Sequence, residues 1–141
     1  MKQLRLEIAI NPQPDEIEFV TQQVIEFNRS RVDQGNYKPL IIFLQDSDNR
    51  IAGGIIGETY WQWLYVDLLW VSEAFRGQGY GDALLAAAEQ EAINRECQYA
   101  YLNTFSFQAP EFYQKRGYVI FGELPDFPQG HKRYFLKKEL R

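Results

Sequence analysis

Arg76-Gly77-Gln78-Gly79-Tyr80-Gly81 stands between an apolar run and a helical pattern, and it has the chemistry of an anion site. Glycines on alternate positions remove side chains that would block the backbone and permit dihedrals closed to other residues. Successive N–H groups in such a loop converge on phosphate oxygens. The start of the following helix adds partial positive charge, and Arg76 adds a formal one. A strand-to-helix turn with no ligand needs only one or two glycines. Spacing narrows the phosphate ligand further. A P-loop ends in Gly-Lys-Ser/Thr, whereas Gly81-Asp82-Ala83 stands here. A dinucleotide fingerprint starting at Gly77 requires Gly or Ala at 82, and Asp82 fails it. The kinase glycine loop fails on the same spacing, and no kinase-like catalytic loop follows.

Two other side chains have types suited to moving protons. Asp67 is the only ionisable residue in the apolar run Leu64 to Val71. Buried there, a carboxylate is costly unless partnered or used, and burial would raise its pKa toward the range of a base. The structural alternative is a carboxylate that caps backbone groups or pairs with an arginine. Tyr113 carries a phenol that is protonated at neutral pH, with a reference pKa of ~10, and can donate. Its spacing alone reads as readily as an aromatic packing residue on a short helix. Cys97, the single cysteine, excludes an internal disulfide and any cysteine-based zinc cluster, and it reads as a small core hydrophobe. His131, the single histidine, falls in a late loop.

The elements that must position these residues follow from periodicity. Leu4, Leu6, Ile8 and Ile10 alternate with polar or small neighbours, which predicts a half-buried strand. Asp15 and Glu18 have capping-box spacing, and Ile17, Val20, Val24 and Phe27 predict a helix to about Gln34. Leu40 to Leu44, Ile51 to Thr59 and Leu64 to Val71 read as a meander, the last as a central strand buried on both faces. Gly81, Leu84 or Leu85, Ala88 and Ala92 mark one face of the helix after the glycine loop. Ala100 to Thr104 is a strand, Pro110 opens a short helix, and Tyr118 to Leu124 and Tyr134 to Leu140 are closing strands. The reading is one mixed α/β domain over 1–141 in the order β-α-β-β-β-α-β-α-β-β.

The glycine loop also fits Q/R-x-x-G-x-G/A, with Arg76, Gly79 and Gly81 in the fixed places. Leu68-Leu69-Trp70-Val71-Ser72-Glu73-Ala74-Phe75 precedes it, and Phe112-Tyr113-Gln114-Lys115-Arg116-Gly117-Tyr118 looks like an FYxKxGF segment. In these features the chain resembles the GNAT superfamily of N-acetyltransferases, residue by residue over roughly 64 to 121 and in element order over nearly its whole length. The resemblance implies a central, mostly antiparallel mixed sheet with flanking helices. It implies acetyl-CoA as cosubstrate, with the pyrophosphate on Arg76, Gly77, Gln78, Gly79, Tyr80, Gly81 and Asp82. The pantetheine arm would lie along the backbone of Leu69, Trp70 and Val71. It makes Tyr113 the general acid for the departing thiolate. Polyamine acetyltransferases of the family carry an acidic residue at the place of Asp67, which implies a base role there, with Glu58 or water in reserve. Where the family often has an asparagine on the pantetheine arm, this chain has Ser106, and Asn103 lies close by to compensate.

The expected activity is direct acetyl transfer from acetyl-CoA to a primary amine of a small molecule or protein. The other class of reading is a non-catalytic acyl-CoA-binding sensor or assembly module. The 15 basic and 19 acidic residues give a net charge of -4, which disfavours a nucleic-acid backbone as partner. No apolar run nears the ~20 residues needed to span a bilayer. With no signal peptide pattern before the first predicted strand, the expected place is the cytoplasm. No metal is expected. Tyr60, Trp61, Trp63, Tyr65 and Trp70 read as core or homodimer interface, or as walls for a cationic or flat acceptor. The loop Pro125 to His131 reads as a substrate rim.

Overall fold

The structure is a computed structural model that describes residues 2–141. It divides into two compact units, one ending at Gln34 and one running from Gly35 to Arg141.

The first unit holds helix α1, Pro14–Arg29, preceded by residues without regular structure. The strand predicted over Leu4 to Ile10 is absent, so the element order begins with a helix. Leu4, Leu6, Ile8 and Ile10 are each at least 86% exposed. Alternation supplies an apolar face, but a strand also needs a hydrogen-bonded neighbour, and this segment pairs with none. The helix is capped at Gln13, two residues before the predicted cap Asp15. Gln13 N–H donates to Glu16 Oε1 at 2.9 Å, and Pro14 occupies the first turn, where its missing N–H costs nothing. It ends at Arg29, short of Gln34, where Ser30 Oγ donates to the Phe27 carbonyl at 2.6 Å.

The second unit is a six-stranded sheet in the order β1-β2-β3-β4-β6-β5. The strands are β1 Lys38–Gln45, β2 Ile51–Tyr60, β3 Trp63–Val71, β4 Tyr99–Phe105, β5 Val119–Pro125 and β6 Lys132–Glu139. Every pairing is antiparallel except β3 with β4. Those two strands are joined by α2, Tyr80–Asn94, and a parallel pair requires such a crossover. A short helix, α3 (Pro110–Gln114), lies between β4 and β5. The expected mixed, mostly antiparallel sheet with flanking helices is what the chain forms.

One face of the sheet makes the core. Leu40, Ile55, Leu64, Val66, Ala100, Leu102 and Leu136 pack with Leu84, Leu85, Ala88 and Ala92, the face predicted for α2. Burying each leucine contributes roughly 1.5–3 kcal/mol. Cys97 belongs to this cluster at 2% exposure, and desolvation pushes its thiol pKa up, so it is the small core hydrophobe expected.

The other face of β3 does not match the prediction of a strand buried on both sides. Leu68 and Trp70 are 58% and 51% exposed. A bulge explains the change along the strand. Gly57 pairs with Val66 and Ile56 with Leu68, which leaves Asp67 as the extra residue without a partner on β2. A Cβ on Gly57 would stand 2.2 Å from the Tyr65 carbonyl oxygen, so the backbones approach there as only glycine allows.

Candidate active site

Beyond the bulge, β3 and β4 part. Their pairing stops at Val66 with Leu102, although β3 continues to Val71 and β4 to Phe105. A parallel pair that splays open leaves the β4-facing edge of β3 without a strand partner from Asp67 onward. The resulting notch is a cavity of about 380 Å³ whose walls include Asp67, Leu69, Trp70, Val71, Arg76 and Tyr113. Residues from two predicted groups, the proton-handling pair and the strand that would hold a pantetheine arm, therefore share one space.

At the mouth of the notch stands the start of α2. Gly79 is its N-cap with φ +88°, and Gly77 has φ +75°. A Cβ at either would meet nothing within 4 Å, so the space in front of the helix is open and the glycines keep it so. The first backbone bond of the helix is Ala83 N–H to the Gly79 carbonyl at 3.0 Å. The N–H groups from Gly77 through Asp82 donate to no described residue. Unsatisfied donors at a positive helix end, facing open space, fit a pyrophosphate.

The side chains of the loop brace it instead of reaching into the space. Arg76 Nε donates to the Val71 carbonyl at 2.8 Å, tying the loop to the strand end, and Gln78 Nε2 donates to Ala74 O at 3.3 Å. Tyr80 meets Phe75 edge-on, with ring centroids 6.3 Å apart. Asp82 forms an ion pair with Arg116 Nε, whose guanidinium also donates to Phe112 O at 2.7 Å and lies 3.7 Å over the Phe112 ring. The position of a Cβ on Gly81 is 3.5 Å from that same ring. Arg116 thus clamps the first turn of α2 to α3, the helix that carries Tyr113. Sequence reading missed this role because only the fold brings position 116 back to 82.

Tyr113 is half-buried, packed edge-on against Phe112 at 5.1 Å and Tyr118 at 6.0 Å. Burial raises its pKa above the ordinary phenol value, so it stays protonated and able to donate. Its hydroxyl bonds to no described residue. Asp67 differs from its expectation. It is exposed, so the argument from burial and desolvation does not apply to it. The bulge, not burial, is what sets it apart, by turning an unpaired position of the strand to the notch.

Ser106 is not among the residues lining the notch. Its backbone N–H donates to Lys132 O at 2.8 Å and its Oγ accepts from Lys132 N–H at 3.0 Å, which fastens β4 to the start of β6. Asn103 and Gln108 line the notch in its stead. Gln108 Oε1 accepts from Thr104 Oγ1 and Phe105 N–H, both at 2.9 Å, and so shapes the open end of β4. Asn103 Nδ2 donates to Tyr65 Oη at 3.1 Å, and its Oδ1 accepts from Arg133 Nε at 2.9 Å.

Tyr65 leads onto the sheet face opposite α2. There Trp63 stacks on Tyr99 at 4.7 Å, meets Tyr101 edge-on at 5.7 Å, and Tyr65 leans on Tyr101 at 4.8 Å. These rings form a shelf on the surface, not a core: Tyr101 is 37% exposed and Tyr99 38%. The loop predicted as a substrate rim contributes no residue to the lining of the notch or the shelf cavity and packs on the end of β4 instead. Phe127 stacks on Phe105 at 5.8 Å, and His131 meets Phe107 at 5.2 Å.

The model of the Acetyltransferase (GNAT) family matches residues 5–118. A blasticidin-S acetyltransferase from Streptomyces morookaense is 47% identical over 91 residues, 64% of this chain and 67% of that protein. An acetyltransferase from Agrobacterium fabrum (strain C58) is 36% identical over 119 residues, 84% of this chain and 87% of the relative. The crystal structure of an acetyltransferase from Bacillus cereus ATCC 14579 superposes with a TM-score of 0.87 at 35% identity, covering 94% of this chain and 97% of that one. No described helix is long and apolar enough to cross a membrane.

Proposed function

The chain belongs to the GNAT acetyltransferase family, and from that premise we propose that it moves an acetyl group from acetyl-CoA directly to a primary amine. One observation carries the reading: a single cavity is walled by the splayed end of β3, Asp67 and Tyr113, and the open start of α2 stands at its mouth.

The donor supplies an activated thioester, and this chain's residues do the rest. The N–H groups from Gly77 to Asp82, with the helix dipole behind them, hold the pyrophosphate. The unpaired edge of β3 from Leu69 to Val71 offers backbone groups along which the pantetheine arm lies. Tyr113 holds a proton for the departing sulfur; burial keeps that proton on at neutral pH. Asp67 takes the proton that an ammonium acceptor must lose before it can attack, directly or through water. No nucleophilic side chain is needed, since the amine itself attacks the thioester.

Incubation with acetyl-CoA and a panel of primary amines, read as free thiol release, tests the proposal. The expected result is release that depends on both substrates. Tight CoA binding with no release across the panel would favour an acyl-CoA-binding module without turnover.

A further inference from the structure

The shelf holds a second cavity, of about 220 Å³, lined by Glu58, Tyr60, Trp61, Trp63, Tyr65 and Tyr101. We infer that it seats a second, non-reacting cationic group of the acceptor, such as a guanidinium or quaternary ammonium, between the Glu58 carboxylate and the rings of Trp63, Tyr65 and Tyr101. This inference rests on the acetyl-transfer reading of the neighbouring notch, and names the class of acceptor that the notch serves.

Three observations converge. Glu58 is half-buried among aromatic walls and forms no hydrogen bond or ion pair with any described residue. A carboxylate partly withdrawn from water and left unpaired costs free energy that a cationic guest offsets. The rings beside it are held by one another, Tyr101 touching both Trp63 and Tyr65, so a cation meets aromatic faces that need no ordering. No Lys or Arg lines the cavity to compete for the carboxylate. Tyr101 does not add a second negative charge: burial, and after it Tyr65 and Glu58, push its phenol pKa up.

The two cavities adjoin through one contact. Tyr65 lines the shelf cavity, Asn103 lines the notch, and the two are hydrogen-bonded at 3.1 Å. Glu58 lies opposite Tyr65 in the sheet, and Asp67 follows Tyr65 by two residues on β3, about 7 Å along a strand. An acceptor that reaches both would carry its reactive amine and its second cation about 7–10 Å apart. This placement makes Glu58 an anchor for the acceptor, not the reserve base.

The test separates binding from turnover. Benzyltrimethylammonium has no N–H to acetylate, and its binding is read from tryptophan fluorescence in the wild type and in Glu58→Gln. The inference expects saturable binding to the wild type and at least 10-fold weaker binding to the variant, with acetyl-CoA affinity equal in both. Equal probe binding by the two proteins, or none by the wild type, overturns it. Glu58→Asp, which keeps the charge on a shorter stem, is expected to bind between the two; if it matches Glu58→Gln while circular dichroism shows both folded, charge is not what the cavity reads. In turnover, an aminoalkylguanidine should have a KM at least 10-fold below that of the plain alkylamine of equal length, and Glu58→Gln should bring that ratio near one. Probe binding that depends on Glu58, with no thiol released from any amine, would overturn the transfer reading and leave the cation seat standing.

Discussion

The notch and the shelf share β3 and β4, and the ligands proposed for them would be recognised by opposite means. In the notch, recognition is assigned to backbone: a row of N–H groups from Gly77 to Asp82 and the open edge of β3, with side chains such as Arg76 and Asp82 turned to bracing. On the shelf, recognition falls to side chains, one carboxylate and a set of rings. A backbone site depends on dihedrals and is indifferent to most substitutions around it. A side-chain site on an exposed sheet face can be rewritten without disturbing the core beneath. On the proposed reading, the donor end rests on backbone geometry that the fold supplies, and the acceptor end rests on side chains that substitution can change.

The sharpest way to break that comparison is to damage the backbone site alone. In Gly79→Val, a β-branched residue is forced to φ +88°, a conformation that costs roughly 1–3 kcal/mol and shifts the N–H groups around it. Losing two or three charge-assisted bonds to phosphate corresponds to a fall on the order of 1,000-fold in acetyl-CoA affinity, measured by calorimetry. Benzyltrimethylammonium binding at the shelf should stay as it was. If both ligands weaken together in a protein that is still folded, the two sites are not separable as described.

The same contrast decides what the sequence could reveal. Glycines on alternate positions encode a loop dihedral pattern directly, so Arg76 to Gly81 and the helix face at Leu84, Leu85, Ala88 and Ala92 were legible without coordinates. The open face of β3 beyond Asp67 was not, because strand alternation assigns faces only until a bulge resets the parity. Leu64 and Val66 face the core before the bulge and Leu69 and Val71 after it, so Leu68 and Trp70 are open where the apolar run from Leu64 to Val71 read as buried on both sides. Asp67 drew notice as a charge expected to be buried, and it stands exposed at the bulge instead. Arg116 and Gln108 were illegible for a different reason. Their partners, Asp82 and the end of β4, are supplied by the fold and have no signature in local spacing. The strand expected at Leu4 to Ile10 failed because apolar alternation is necessary for a strand and not sufficient.

Tyr113 lines the notch alone, and it sharpens the comparison because its proposed role is to hold a proton and not to bind either ligand. Tyr113→Phe should lower kcat about 100-fold, the usual effect of losing a positioned general acid. Acetyl-CoA affinity and acceptor KM should hardly move. Because burial raises its pKa, the wild-type kcat should show no descending limb from this group below about pH 10. A kcat that is unchanged in the phenylalanine variant would leave the sulfur to be protonated by water and would remove Tyr113 from the chemistry.

The smallest effect tests whether a third region is independent of both. Tyr118 is 1% exposed, and its hydroxyl donates to Glu89 Oε2 at 2.7 Å, while Lys138 Nζ donates to Glu89 Oε1 at 2.9 Å. This half-buried network ties α2 to β6 and to Tyr118. Tyr118→Phe removes one bond to a carboxylate that keeps its other partner, so the expected loss is about 1–2 kcal/mol of stability, read from a urea midpoint. Burial first, and then Glu89, raise the folded-state pKa of Tyr118 well above its unfolded value. The neutral phenol is thus favoured by folding. Its contribution is intact below the unfolded pKa of ~10 and is lost only as pH rises beyond that toward the folded value. The difference between wild type and variant should accordingly stay constant from neutral pH to about 10 and narrow above it. Affinity for acetyl-CoA and for the cationic probe should be the same in both proteins. A variant that loses ligand affinity in proportion to its stability would mean that this network sets the width of the notch, and that the backbone site is not self-contained after all.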